Sequence, residues 1–452
     1  MTRFLGIDIG TSFLKGAVLD PSTGTISHIL RQPVPDPLSG LPSTRCELDA
    51  HRLFAGVREL IARLMNAAPD AGGLVVCSQM HSLVLLDERG EARSNVMTWK
   101  DQRALEPSPG GRGTHFDDLK RIVSEEDQQR LGGEMRVGVP VTTLYVLQGE
   151  GKLSANLVPA TLPDYIMCRL CGTVVSTEPT LASAQGLYNT ETGDWHRGLF
   201  ERLGLDLLRW PRIRKTGEAV GVANIDGHAL TCYTPIGDQQ CALLGSGLRE
   251  RELSLNIATG AQASLLGRDR PRGDFQVRPY FDRKWLRTIV SIPAGRSLGL
   301  LVGLLTELGA AAGLSRSWDY IQQAVDQVAE TDLEVDLSFF PSVSGDRGHI
   351  TNIREGNLTV GHLFAAAFRG MALNFARCAS TLSPGREWDR VVFSGGLAQN
   401  FERIRTEILD GLGNPIHRLC STEEDTLAGL LALANVCSGR ARSFEEAANF
   451  IF

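Results

Sequence analysis

Asp8 ends an apolar run and is followed by Gly10-Thr11-Ser12, with Lys15 close behind. A tight turn of this make-up points backbone N–H groups and hydroxyls at one spot, which suits phosphate oxygens. Lys15 would add a positive charge there. A carboxylate beside such a turn suits Mg²⁺, which prefers oxygen ligands and keeps its waters. The same residues would also make a plain hairpin with a capping aspartate. Ala258-Thr259-Gly260 stands at the matching place in the second half of the chain, and two facing phosphate turns would clamp a nucleotide. No GxxxxGK[ST] sequence occurs, so a nucleotide here is not held by a P-loop. Gly395-Gly396, after the run VVFS, would let a ligand approach the backbone and face helix N–H groups, or would simply start a helix.

Gly237-Asp238 follows the apolar TPI and precedes QQCALLGSG. As a free carboxylate pointing into an interdomain cleft, Asp238 could take the proton of a hydroxyl whose oxygen attacks phosphorus. It could equally cap a helix. Gln79-Met80-His81 ends the run LVVCS, and Trp99-Lys100-Asp101-Gln102-Arg103 follows VMT. Hydrogen-bonding side chains beside one aromatic face are what a polyhydroxylated ligand needs. A core histidine and a surface Asp–Arg pair would account for the same residues. Gly295-Arg296-Ser297-Leu298-Gly299 fits the G-x-S-x-G nucleophile elbow of hydrolases. No HGGG-like oxyanion segment precedes it, however, and Pro293 interrupts the approach to the turn.

These groups need elements to hold them. FLGIDIG, a turn over TSFLK and GAVLD predict a β-hairpin, and TISHILRQ a third strand. Leu53, Val57, Leu60, Ile61 and Leu64 repeat at helical spacing and predict a helix from about Ala50 to Ala67. LVVCS at 74–78 follows as a buried strand. The order begins again with LSLNIATGAQASLLG (253–267), a strand near 287–292, and apolar helices over 298–314 and 317–329. A strand at DRVVFSGG and helices over 398–412 and 425–437 close the chain. Two β-hairpin-first α/β units of similar size follow from this pattern, with a boundary near 246–252.

The length predicts two domains or at most three, each with ample core. Lys and Arg total 46 against 52 Asp and Glu, with no basic block, so nucleic acid is not the expected partner. The run LGLLVGLL (298–305) is too short to span a bilayer, and MTRFLGIDIG lacks a signal-peptide core. Nine scattered cysteines form no disulfide framework. The CxxC pair Cys168 and Cys171 has no second pair at zinc spacing and is expected to be two helical thiols. The cytoplasm is the expected compartment.

The ordered set DIGTS, SQMH, WKDQR, GDQQ, ATG and SGGLAQN resembles the FGGY carbohydrate kinases of the actin/hexokinase superfamily, from LGIDIGTSFLKGAVLD to DTLAGLLALA. Within the family, VMTWKDQR, LPDYIMCRLCG, GLYNTETGDWH and VRPYFDRKWL look most like the sedoheptulokinases, with xylulokinase-like ketose kinases next. The resemblance implies two ribonuclease H-like α/β domains, 1–245 on the sugar side and 246–452 on the nucleotide side, flanking a deep cleft. It implies ATP-dependent phosphorylation of a ketose, with Asp238 as general base and Asp8, with Asp238, positioning Mg²⁺. Thr11, Ser12, Lys15, Thr259 and Gly260 would surround the phosphates, and Gly295, Gly395, Gly396 and Asn400 the rest of ATP. Gln79, Met80, His81, Trp99, Asp101 and Arg103 would line the sugar pocket. The partners would then be a sugar and ATP, with no nucleic acid or membrane, and with a homodimer left open. The alternatives are a non-catalytic sugar or nucleotide sensor on the same fold, and a serine hydrolase using Ser297. Departures from the family pattern are Ala258 and Ala261 around the second turn, Ala294 and Arg296 around Gly295, Gln239 after Asp238, and Asp346 between Gly345 and Arg347.

Overall fold

The computed structural model describes residues 2–110, 113–311, 317–420 and 424–451. The chain forms two compact units. One comprises Met1–Gly247, Val277–Trp285 and Glu424–Phe452; the other comprises Leu248–Gln276 and Leu286–Glu423. The expected cut at 245/246 lies beside the first crossing but leaves out two returns of the chain. The larger return has a packing cause. The helix Asp425–Cys437 lies against the helix Asp238–Gly245 with backbones nearly touching. A side chain at Gly245 would strike Asp425 O, and one at Gly429 would strike Cys241 O. Leu427, Leu430 and Leu431 join Phe4, Leu19, Val75, Ile236 and Leu244 in one buried cluster. Each such fully buried aliphatic side chain is worth about 1.5–3 kcal/mol.

The first unit is built on one mixed sheet. Its strand order is Ala219–Ile225, His228–Tyr233, Gly73–Ser78, Phe4–Ile9, Phe13–Asp20 and Thr25–Pro33, and the short strand Ile236–Gly237 also pairs with Gly73–Ser78. Alternation along Phe4–Ile9 decides what faces where. Leu5, Ile7 and Ile9 enter the core shared with Leu53, Val57, Leu60 and Leu64 of the helix Ala50–Ala67. Phe4 enters the opposite core, beneath the helix Asp425–Cys437. Asp8 shares the Phe4 face and therefore points toward the start of that helix. The helix Ala50–Ala67 begins where expected, because the Asp49 side chain accepts hydrogen bonds from His51 N and Arg52 N at 2.9 Å each.

The second unit repeats the connectivity. The strands Glu252–Ile257 and Ala261–Gly267 form a hairpin, with Ile257 opposite Ala261. Trp285–Ile292 lies beyond the second strand, and Arg390–Ser394 returns parallel to the first. Hairpin, third strand and a parallel return beside strand one are thus common to both units.

Several local expectations differ from the structure. Phe13, Leu14 and Lys15 belong to the second strand, so the first turn is only Gly10-Thr11-Ser12. The helix expected over 298–314 is Gly295–Ala311, and 312–314 lie outside the described residues. The next helix stops at Asp326 rather than 329. The helix expected over 398–412 is two helices, Gly396–Asn400 and Glu402–Gly411, broken at Phe401. Periodicity does not mark the longest helix among the described residues, Val360–Leu382, because small and apolar residues surround it on most sides and leave no clear stripe. Among the described residues no helix is long and apolar enough to cross a membrane.

Candidate active site

Three parallel strand ends of the first unit carry its reactive groups. Asp8 pairs with Cys77 in one direction and with Lys15 in the other. Ile236 pairs with Cys77 and Gly237 with Ser78, so Asp238 emerges beside Gln79. Gln79 N donates to Ile9 O at 3.1 Å, drawing the strand ends together. Ligands of such sheets bind at the carboxyl ends of parallel strands.

Asp8 is buried and accepts a hydrogen bond from Thr426 Oγ1 at 2.8 Å. Lys15 Nζ lies 3.8 Å from Asp8 Oδ2 and donates to Glu424 Oε2 at 3.2 Å, and Arg31 pairs with Glu424. Burial raises the Asp8 carboxyl above its usual range, with Lys15 opposing the shift. Asp238 is the first residue of its helix. Gly237 occupies the cap position, so capping is not the function of this aspartate. Asp238 Oδ1 accepts from Gln239 N at 2.8 Å. Asp238 keeps a partial opening to solvent, yet burial pushes its carboxyl up to about 7. The negative charge of Asp8 adds to the rise, and the Gln239 amide opposes it.

Around Asp238 lies a group of polar residues, several of them beyond those expected. Met80 packs on Gly237, where a Cβ would come within 2.9 Å of Met80 Cγ. His81 Nε2 lies 3.1 Å from an Arg136 terminal nitrogen and 3.4 Å from Glu134 Oε2. Burial lowers the His81 ring to about 4, with Glu134 opposing the shift, so the imidazole is neutral at pH 7. Glu134, with no exposed surface, sits 3.4 Å from the same ring and holds Arg278, which also donates to the Gln239 side chain. Burial alone would raise the Glu134 carboxyl, but Arg278, His81 and Arg136 hold it well below the usual range. The sequence hides this cluster, because Glu134 and Arg278 are 144 positions apart. The only cue is the charged E-x-R in a glycine-rich stretch, LGGEMRVG. Gln79 is almost fully buried and its carbonyl oxygen Oε1 has no partner among the described residues, as a group awaiting a ligand would be.

Trp99 is half-exposed, and its indole N–H donates to Thr11 Oγ1 at 3.0 Å, tying the aromatic to the Gly10-Thr11-Ser12 turn. Asp101 and Arg103 are placed otherwise than expected. Both are buried, and the Asp101 carboxylate accepts from Cys46 N, Arg103 N, Arg103 Nε and an Arg103 terminal nitrogen at 2.8–3.1 Å. The same Arg103 terminal nitrogen also reaches Glu47 Oε1 at 2.7 Å. The pair closes on itself: Arg103 opens the 3-10 turn Arg103–Leu105, and its guanidinium folds back on the carboxylate two residues before it. It presents no free carboxylate to a sugar.

The second unit brings its own expected residues together. Thr259 and Gly260 are exposed at the hairpin turn. Gly295 N donates to Ala258 O at 3.1 Å and Arg296 N to Thr259 O at 2.9 Å. A Cβ at Gly295 would lie 2.6 Å from Ala258 O. Gly395 has φ +86° and would place a Cβ 2.7 Å from Ile257 O, so glycine is required on both counts. Gly396 and Asn400 are exposed on the short helix that follows. The Arg296 guanidinium stacks 4.5 Å over the Phe340 ring. Ser297 is fully buried and donates to Leu337 O at 2.6 Å, which removes it as a nucleophile and ends the hydrolase alternative. All nine cysteines are free, with Cys168 and Cys171 on the helix Leu162–Cys171. Among the described residues, no cluster of three or more His, Cys, Asp or Glu is placed to hold a metal.

Two units of the same hairpin-first connectivity, with an aspartate at the foot of the first turn, define a two-domain α/β kinase architecture. The chain belongs to the FGGY family of carbohydrate kinases: the model of that family's N-terminal domain matches residues 3–245. The chain is similar to sedoheptulokinase of Mus musculus, with 23% identity over 91% of this chain and 93% of the relative. It is 25% identical to a xylulose kinase of Streptomyces coelicolor, over 81% of this chain and 73% of the relative. In fold it matches a gluconate kinase structure from Lactobacillus acidophilus, with TM-score 0.86 and 18% identity over 99% of this chain and 92% of that one. The protein is therefore a carbohydrate kinase.

Proposed function

We propose that this kinase transfers the γ-phosphoryl group of ATP to a hydroxyl of a free ketose, with sedoheptulose and xylulose as leading acceptors and Asp238 as general base. The observation that carries the reading is the placement of Asp8 and Asp238 on the two strands that flank Gly73–Ser78, at the same end of the sheet, with Asp238 raised to about 7. A base titrating near the working pH is best matched to removing an alcohol proton in the transition state. Asp238 takes the hydroxyl proton as the sugar oxygen forms its bond to phosphorus and the bond from phosphorus to the ADP oxygen breaks.

Lys15 and the Thr11 and Ser12 groups of the first turn face the phosphates, while Thr259, Gly260, Gly295, Gly395, Gly396 and Asn400 serve the nucleotide from the second unit. Two carboxylates, of which Asp238 is raised in part by the charge of Asp8, are a hard-oxygen donor set whose repulsion a divalent cation would relieve, so Asp8 and Asp238 fit Mg²⁺. That ion, when bound, neutralises charge on the transferring phosphoryl group. Gln79, through its unpartnered oxygen, accepts from a sugar hydroxyl. His81 offers its ring to a sugar hydroxyl, and Trp99 covers an apolar face of the sugar. Arg136 joins them beside His81, and Asp101 with Arg103 supports the Trp99 segment from inside. The names of the sedoheptulokinase and xylulose kinase relatives support the ketose assignment, and free cysteines throughout support a cytoplasmic setting.

The test is a coupled ADP-release screen over ketoses, aldoses, polyols and aldonates, with Asp238→Asn as control. Turnover on five- to seven-carbon ketoses that Asp238→Asn abolishes is the expected result. Turnover confined to another sugar class would overturn the ketose assignment, and an active Asp238→Asn would overturn the base.

A further inference from the structure

Asp238 follows a residue whose backbone is held in an unusual way. The Gly237 N–H donates to the hydroxyl of Thr180 at 2.8 Å, in a fully buried contact. Thr180 lies on the short helix Pro179–Ala184, 57 positions earlier in the chain. A threonine hydroxyl has one proton and two lone pairs, so what it offers the amide depends on where its proton goes. Here the proton goes to the Glu178 carboxylate. The lone pairs are thereby left to Gly237, and the hydrogen bond has a fixed polarity.

Glu178 has no exposed surface. One of its oxygens takes the Thr180 hydroxyl and Leu181 N at 3.0 Å, and the other takes the Thr216 hydroxyl at 2.9 Å. The Thr216 segment is pinned in turn: Gly217 N donates to Thr234 Oγ1 at 2.9 Å, and that hydroxyl donates to Lys215 O at 3.1 Å. Glu178 therefore governs the approach to Asp238 at two points, Thr234 before the strand Ile236–Gly237 and Gly237 within it. A buried carboxylate costs free energy unless its hydrogen bonds repay it. Its use here is geometric, since it imposes one direction on a hydroxyl.

We propose that Thr180, oriented by Glu178, is the positioning residue for Asp238: it fixes the Gly237 peptide so that the base carboxylate meets the attacking hydroxyl. This rests on the reading of Asp238 as general base. Positioning errors near one ångström are enough to cost large factors in turnover while leaving ground-state binding in place.

The experiment compares Thr180→Val, which keeps the shape and removes the acceptor, with Thr180→Ser, which restores it. Glu178→Gln is added because an amide has one acceptor end where the carboxylate has two, so it gives up accepting either from Thr180 and Leu181 or from Thr216. Each full-length variant is assayed for kcat and both KM values with D-xylulose and sedoheptulose. Thermal stability and hydrogen exchange of the peptide covering 234–240 are also measured. Thr180→Val and Glu178→Gln should lose at least tenfold in kcat with sugar KM changed less than threefold, and should exchange faster at 234–240. Thr180→Ser should stay within threefold of wild type on every measure. A Val variant with wild-type kcat and unchanged exchange overturns the proposal, as does a Ser variant as impaired as Val. If Val does not fold, the Ser and Gln arms decide in the same way. Should neither sugar be turned over, the exchange comparison decides alone. Asp238→Asn is run in parallel: its full activity would sink the base assignment, whereas an inactive Asp238→Asn with an active Thr180→Val sinks only the positioning role.

Discussion

Replacing Asp101 with alanine separates two roles that the same residue could have. In the structure its carboxylate receives hydrogen bonds from Cys46 N, Arg103 N, Arg103 Nε and an Arg103 terminal nitrogen, and it keeps 1% of its surface. Arg103 is 2% exposed, so truncation would leave a buried guanidinium with Glu47 as its one remaining carboxylate, at 2.7 Å. Breaking a buried pair from one side costs about 3–5 kcal/mol. Glu47 retains part of the interaction, which puts the expected loss near the lower end, about 3 kcal/mol. For a unit of this size, each kcal/mol moves Tm by about 2–4 °C, so scanning calorimetry should show a drop of roughly 6–12 °C in the transition of the first unit. Steady-state kinetics well below that transition should show small and similar changes in KM for sugar and for ATP, because no sugar contact has been removed. The reasoning would be refuted by an unchanged Tm together with a sugar KM raised tenfold or more and an unaltered ATP KM. That pattern would mean the carboxylate faces the substrate.

Asp238→Asn should lower kcat by about two to four orders of magnitude, the usual worth of a general base, with the sugar Kd from titration calorimetry nearly unchanged. In the wild type, kcat/KM for the sugar should fall tenfold per pH unit below about 7, where Asp238 takes up its proton; a flat profile from pH 5 to 8 would count against the assignment. The folded-state pKa lies above the unfolded value, so between about 4 and 7 the native state binds the extra proton and stability falls as pH rises. Asp238→Asn should therefore have a higher Tm than wild type at pH 8 and an equal one near pH 4. Gly395→Ala should raise the ATP KM at least tenfold and spare sugar binding, since its φ of +86° and the contact with Ile257 O both exclude a side chain; an unaltered ATP KM would remove that turn from the nucleotide site. Ser297→Ala should keep at least half of wild-type kcat at 25 °C and show only the modest stability loss of one buried hydrogen bond, about 1–3 kcal/mol.

What the sequence disclosed follows from how local each feature is. Asp8 and Lys15 face one another because a two-strand hairpin with a short turn leaves little choice of register, and that pattern lies within a dozen residues. The helix Ala50–Ala67 is marked by its own apolar stripe, and the second hairpin by the same signs as the first. Asp101 and Arg103 show the limit of such reasoning. Spacing says that two charged groups lie near each other, but not whether they turn to solvent, to a ligand or to one another. That choice depended on Cys46 N and Glu47, some 55 positions upstream. Groups joined only by the tertiary fold left almost no trace: Thr426 reaches Asp8 across 418 positions, Arg278 reaches Glu134 across 144, and Thr180 reaches Gly237 across 57. These long-range partners set the protonation and direction of the residues that the sequence did mark. The identity of the reactive groups is thus a local property of this chain, while their tuning is a property of the fold. Substitutions at Glu134, Thr180 or Thr426 should accordingly alter rate and pH dependence while leaving every recognisable motif intact.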